Sequence, residues 1–389
     1  MRSSISVSLA FHSTQPSATV LVRLHPVLLF NTLLSVTTTT CTSTSSTPLN
    51  LSTSHPPTSQ LQLTISIPGA RFGPRAIRAA SLRQTSFRSF NPRALINPYQ
   101  SWARLLDCGD VPLTPFSNEI ALEQMTQAYL TLGQPNHREH HNDSSSPASS
   151  SSSSPYKHPK LISLGGDHSL ALPALRALSK IHKSPIRVLH FDAHLDTWDP
   201  EAYPSHWGIT PFTHGSMFHL AHTEGLLSNT TSKPSVHAGL RTRLSGTDLA
   251  DNEDDTRQNW VRYTADDVDD LGTKGIIAGI MDTLGTEDPV YLSVDIDVLD
   301  PAFAPGTGTP EPGGWTTREL IRVLRGVEGL NLVGADVVEV APAYQGAGEE
   351  TALAAAQVVY EIATSMVKRG LTDMPRQQVP ANDEERDEL

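Results

Sequence analysis

Cysteine is nearly absent: Cys41 and Cys108 are the only two in 389 residues. Neither has a CxxC neighbour, so a disulfide scaffold is excluded and little is said about redox compartment. No apolar run is long enough for a membrane span. Acidic residues are missing altogether before Asp107, where nine of the 29 Lys and Arg lie, so the other 20 stand against all 41 Asp and Glu. The net charge of −12 argues against nucleic acid as a partner. An acidic body suits a cationic ligand or a bound metal. A hydrophobic content of 38% with 29 prolines describes a globular body diluted by irregular segments. The length accommodates one large α/β domain with extensions, or two ordinary domains.

Apart from histidine, charge is also missing from Leu24 to Ala70, and "TTTTCTSTSSTPLNLSTSHPPTS" is low-complexity text that cannot bury a core. Residues 1–60 therefore read as a disordered or targeting segment. Within it "HPVLLFNTLL" resembles a signal h-region that lies late and lacks a basic start. The body is expected over 61–372, with "LQLTISI" at 61–67 alternating as a first strand would. A serine-rich surface loop is inserted at 143–155, "HREHHND" before it reads as a solvated flank, and 373–389 form an acidic tail. From Lys160 onward "LISLGG", "IRVLHFDAH", "PVYLSVDID" and "LNLVGADVVEV" read as strands. They alternate with helical patterns such as "SLALPALRALSKI" and "ETALAAAQVVYEIATSMV". That alternation predicts an α/β fold with a mostly parallel central sheet, and such sheets bind ligands beyond the carboxyl ends of their strands.

The unusual residues fall at those ends. "HFDAHLD" places Asp192, His194 and Asp196 at i, i+2 and i+4, on one face of an extended chain. "SVDID" repeats the arrangement with Asp295 and Asp297, and "LGGDHS" adds His168 after a third strand, with Gly165 and Gly166 allowing a tight turn. So many carboxylates and imidazoles at neighbouring strand ends would repel and be desolvated unless a cation held them together. Taken alone, Asp295 and Asp297 could equally cap the next turn; beside the other segments they read as metal ligands. Four carboxylates and two histidines without thiolate favour Mn²⁺, with Zn²⁺, Fe²⁺ and Co²⁺ as alternatives. Six ligands exceed the needs of one ion. Two ions, about 3.5 Å apart, would use them all and supply hydroxide near neutral pH, which is hydrolase chemistry.

"LGGDHS", "FDAHLD" and "SVDIDVLDPAFAPGTGTPEPGG" resemble, in order, the three signature segments of the ureohydrolase family, which includes arginase, agmatinase and formiminoglutamase. The resemblance runs from "PGARFGPRAIR", near Gly69, to about Gly370 and is interrupted by the serine-rich insertion. It implies a three-layer α/β/α domain, two Mn²⁺ per subunit, a homo-oligomer, and hydrolysis of a guanidino compound to urea and an amine. It further implies that His168, Asp192, Asp196 and Asp297 surround one ion and His194 and Asp295 the other. Asp196 would carry a proton to the leaving amine. His214 in "FTHGSMF" would exchange protons with solvent, and Glu339 in "GADVVEVAP" would pair with the guanidinium; both would contact substrate.

Arginases follow the DAHxD segment with polar groups that read the amino-acid end of their substrate, whereas this chain continues "TWDPEAYPSHWGITPFTHG". Trp198 and Trp207 stand in that place, as packing residues or substrate walls, and "GLRTRLSG" adds to the similarity to fungal-type agmatinases. Agmatine, yielding putrescine in polyamine metabolism, is the expected substrate; a guanidinobutyrase or related amidinohydrolase is the alternative. Two other classes compete: a catalytically inactive ureohydrolase-fold binding or regulatory protein, and a different metal hydrolase such as a deacetylase. Arg386 to Leu389, "RDEL", resemble a retrieval signal of the endoplasmic reticulum, with sequons at Asn50, Asn142 and Asn229; cytoplasm and mitochondrion are the alternatives.

Overall fold

The computed structural model describes residues 69–134, 158–201 and 212–373, together with the backbone of Ala18–Pro26. Its strands are β1 (Ala18–Pro26), β2 (Ala103–Pro112), β3 (Lys160–Leu164), β4 (Arg187–Phe191), β5 (Ser235–Leu240), β6 (Trp260–Thr264), β7 (Pro289–Asp295) and β8 (Asn331–Val338). They form one sheet in the order β2-β1-β3-β8-β7-β4-β5-β6. The six strands from β3 to β6 in that order are parallel, and β1 pairs antiparallel with both β2 and β3. The helices are α1 (Gly73–Ser81), α2 (Asn118–Gly133), α3 (Ala171–His182), α4 (Met217–Thr223), α5 (Ala250–Arg257), α6 (Asp267–Asp270), α7 (Gly272–Leu284), α8 (Thr317–Gly326) and α9 (Glu350–Asp373).

Strand periodicity sorts the core into two layers. On β4 and β7, Leu189, Phe191, Leu292 and Val294 pack with α1, α7, α8 and α9, while Val188 and Tyr291 pack with α2, α3 and α4. This is the expected three-layer α/β/α arrangement, and β3, β4 and β7 are buried along almost their whole length, as a two-sided parallel sheet requires. Trp315 fills the space beneath β4: it is 1% exposed, stands edge-on to Phe191 at 6.1 Å, and donates its Nε1–H to Ala265 O. Trp315→Ala should lower stability by about 3–5 kcal/mol, measurable by chemical denaturation.

Within residues 1–60, read from sequence as a disordered or targeting low-complexity segment, Ala18–Pro26 lies as a strand. Thr19, Val20, Leu21 and Val22 supply strand-forming residues, and backbone pairing to β2 and β3 takes up the ladder of hydrogen bonds that a lone strand would lack. The expected first strand at 61–67, the serine-rich insertion, "HREHHND", Trp207 and "RDEL" lie outside the described residues. No helix among the described residues is long and apolar enough to cross a membrane.

Candidate metal centre

Three strands deliver the six expected ligands to one end of the sheet. After β3, Asp167 caps a short turn, His168–Leu170, and buries His168 completely. Of the two glycines in that turn only Gly165 is sterically required: a Cβ there would lie 2.4 Å from the Leu170 side chain, whereas one at Gly166 would meet nothing. After β4 the chain places Asp192, His194 and Asp196, the last at φ +56°. At the end of β7, Asp295 accepts the amide hydrogen of Asp297 at 2.8 Å, so it caps the next turn as well as facing the cluster. Arg241 holds that turn from below, donating to Asp297 O at 2.6 Å and Glu311 O at 2.7 Å.

His168 Nδ1 lies 3.2 Å from Asp192, 3.0 Å from Asp196 and 3.4 Å from Asp295. His194 Nδ1 lies 3.2 Å from Asp192 and 3.0 Å from Asp297. Asp192 thus belongs to both sides. Asp295 sits with His168 and Asp297 with His194. The reason is the strand's period: Asp297 lies beyond the end of β7, in the turn, where its Oδ1 accepts from the Ala193 amide beside His194 at 3.1 Å.

Burial disfavours the charged forms of His168, His194, Asp192, Asp295 and Asp297, and neighbouring charges either reverse or reinforce it. Burial lowers the His168 pKa, but the surrounding carboxylates lift it well above the usual imidazole range. His194, opposed in the same way, is pushed up to about 12 by Asp297 and Asp192. Asp295 is held well above the ordinary carboxylate range by burial and the charges of Asp297 and Asp192, and Asp297 is raised by burial and Asp192. Asp192 alone is held well below it, because His190, His168 and His194 outweigh burial. The cluster calls for positive charge. His168 Nδ1, although close to three carboxylates, is buried without a hydrogen bond, so nitrogen and oxygens face a common point instead of one another. Its Nε2 is bonded at 2.7 Å to Ser293 Oγ, which donates to Asp336 at 2.7 Å, the outer support that metal-binding imidazoles usually have. This donor set fits a pair of divalent cations.

Glu339 lies at φ +59° and accepts the His168 amide hydrogen at 2.9 Å, which fixes its carboxylate beside the cluster. Burial and Asp167 raise its pKa well above the usual range. His214 is half-buried, and its Nδ1 has no hydrogen-bond partner among the described residues. Its loop is fastened to the Asp196 segment: Trp198 N donates to Gly215 O at 3.2 Å and Phe218 N to Asp196 O at 3.3 Å. Trp198 stands 6.4 Å from the His194 ring, with a 62° tilt. His190, Ser293 and Asp336 were missed by sequence reasoning. Each is a fully buried polar residue inside an apolar strand, and His190 and Ser293 precede Asp192 and Asp295 by two, the same period that singled out the candidate ligands.

The arginase family profile matches residues 59–364. The chain belongs to the arginase family. It is 45% identical to a Schizosaccharomyces pombe protein named "Putative agmatinase 3", over 77% of this chain and 71% of that one. It is 35% identical to a guanidinopropionase of Pseudomonas aeruginosa, over 76% and 80%. A solved structure of a hypothetical agmatinase from Burkholderia thailandensis superposes with a TM-score of 0.62 at 32% identity, covering 79% of this chain and 82% of that one. The chain is therefore an arginase-family ureohydrolase, a family dependent on a binuclear metal site, and the buried cluster is where such a site falls.

Proposed function

We propose that the chain hydrolyses agmatine to urea and putrescine with two Mn²⁺ held by His168, Asp192, His194, Asp196, Asp295 and Asp297. The observation that carries this reading is the convergence of the six, with Asp192 shared and His168 Nδ1 buried and unbonded. Bound there, the ions supply positive charge to the carboxylates and make water acidic enough to attack at neutral pH. The rest is done by the chain's own residues. Glu339, fixed by the His168 amide, pairs with the planar guanidinium and orients its central carbon toward the cluster. Asp196 takes up a proton on its carboxylate and passes it to the leaving amine nitrogen. His214, whose Nδ1 has no hydrogen-bond partner among the described residues, delivers to solvent a second proton, the one that the next water loses on entering the site. Trp198 offers an apolar wall beside His194, which suits a methylene chain without an α-amino acid end. The names of the Schizosaccharomyces relative and of the Burkholderia structure point the same way.

Urea release from agmatine, arginine, guanidinobutyrate and guanidinopropionate tests the substrate. Agmatine should lead in kcat/KM by at least about tenfold, or ~1.4 kcal/mol. Preference for arginine overturns the assignment, and preference for a guanidino acid moves it toward the Pseudomonas relative. No urea from any of the four leaves an inactive binding protein.

A further inference from the structure

From Asp192 Oδ2, the oxygen that also faces His168 Nδ1, a chain of polar side chains that the reaction does not use runs toward β5 and α5. His190 and His237 are register neighbours on the parallel strands β4 and β5. His190 Nε2 lies 2.9 Å from Asp192 Oδ2, the two Nδ1 atoms are 2.7 Å apart, and His237 Nε2 lies 3.1 Å from Asp255 Oδ1. All four residues are 0% exposed. Asp255, on α5, receives two further bonds: Thr197 Oγ1–H at 2.8 Å and Arg262 Nη1–H at 2.6 Å. Thr197 follows Asp196 directly, and its carbonyl is held by Gln258 Nε2 at 2.8 Å. Trp260 stacks on His237 at 3.9 Å and 15°, fixing the ring plane.

We propose that Asp255, with His237 and His190, is a positioning residue of the metal centre that holds Asp192 at its Oδ2 and Asp196 through Thr197. A desolvated polar chain of this length is expensive unless every member is bonded, and here every member is. Asp255 and Asp192 both accept, so His237 Nε2 and His190 Nε2 each carry a hydrogen and the two rings share a third at the Nδ1 contact, three N–H in all. The Nδ1 contact passes the orientation of His237 to His190, and His190 sets the rotation of the Asp192 carboxylate. Two ligands that leave β4 four residues apart are thereby braced by one carboxylate on another element. Asp196 sits in the left-handed region, where a non-glycine residue persists only if its surroundings enforce it; the Thr197 bond is part of that enforcement.

The proposal rests on the metal reading above, and its test separates the two. Mn²⁺ is titrated into the metal-stripped full chain against a competing chelator for wild type, His237→Phe and Thr197→Val, with the thermal melt of each metal-free protein alongside. His237→Phe keeps the stack on Trp260 and leaves Asp255 paired with Thr197 and Arg262. Both variants should bind Mn²⁺ more weakly, by about 10- to 100-fold for His237→Phe and ~10-fold for Thr197→Val. Wild-type affinity in Thr197→Val overturns the proposal whether or not His237→Phe folds. Wild-type affinity in a folded His237→Phe with a lowered melt also overturns it, because the chain would then serve packing alone. A wild type that retains no Mn²⁺ removes the metal reading and this inference together.

Discussion

Asp295→Asn should abolish urea release while leaving a folded protein. Asp295 is 2% exposed and spends one oxygen on the Asp297 amide, a bond an asparagine oxygen can keep. Burial and the charges of Asp297 and Asp192 already hold its carboxyl above the ordinary range without metal, so a neutral amide costs the metal-free fold little. The loss falls on the metal-bound state. The amide removes one negative charge from the group around His168 Nδ1, where Asp295 stands at 3.4 Å beside Asp192 and Asp196. Elemental analysis should find the metal content reduced, with an affinity loss of at least about 100-fold by the sensitivity of ligand sets to such changes. A melt within a few degrees of wild type for the stripped proteins would confirm that the fold is intact. Full metal content with full activity would show that Asp295 is only the turn cap that the sequence also allowed.

His214→Ala should separate binding from chemistry in the opposite sense. His214 is not among the six clustered residues, and among the described residues its Nδ1 has no hydrogen-bond partner to lose. The variant should therefore keep two ions per chain and lose kcat by about 10²-fold or more, the usual contribution of a positioned proton-transfer group. KM should change less than kcat, because a group that moves a proton contributes in the transition state more than in the ground state. Imidazole added to the assay should restore part of the rate. Loss of metal from His214→Ala would contradict the division of roles.

The site was more legible in the sequence than the scaffold around it. Alternation of carboxylate and imidazole at strand ends is conspicuous, because Asp192 and Asp295 interrupt apolar runs that leave no solvent for a charge. Which ligands sit together was not legible: the placement of Asp297 depends on where β7 stops, and strand ends are poorly marked by periodicity. Among the elements, α3, α9 and the four strands β3, β4, β7 and β8 followed from their patterns. β5, "SVHAGL", and β6, "WVRYT", did not, because they are short and carry histidine, arginine and glycine amid few aliphatics. β2 escaped for a different reason: it is largely exposed, so its sequence "ARLLDCGDVP" lacks a buried strand's apolar signature. His237 and Asp255 were invisible as site residues since only the pairing of β4 with β5 brings them toward Asp192.

The most direct test of the account is a Mn²⁺ titration of the metal-stripped chain in the presence of agmatine, with urea release followed at each addition. The six-ligand centre predicts no urea from the stripped chain and a rate that climbs with added Mn²⁺ and saturates at two ions per chain. Undiminished urea release after stripping, or saturation at a single ion, would contradict it.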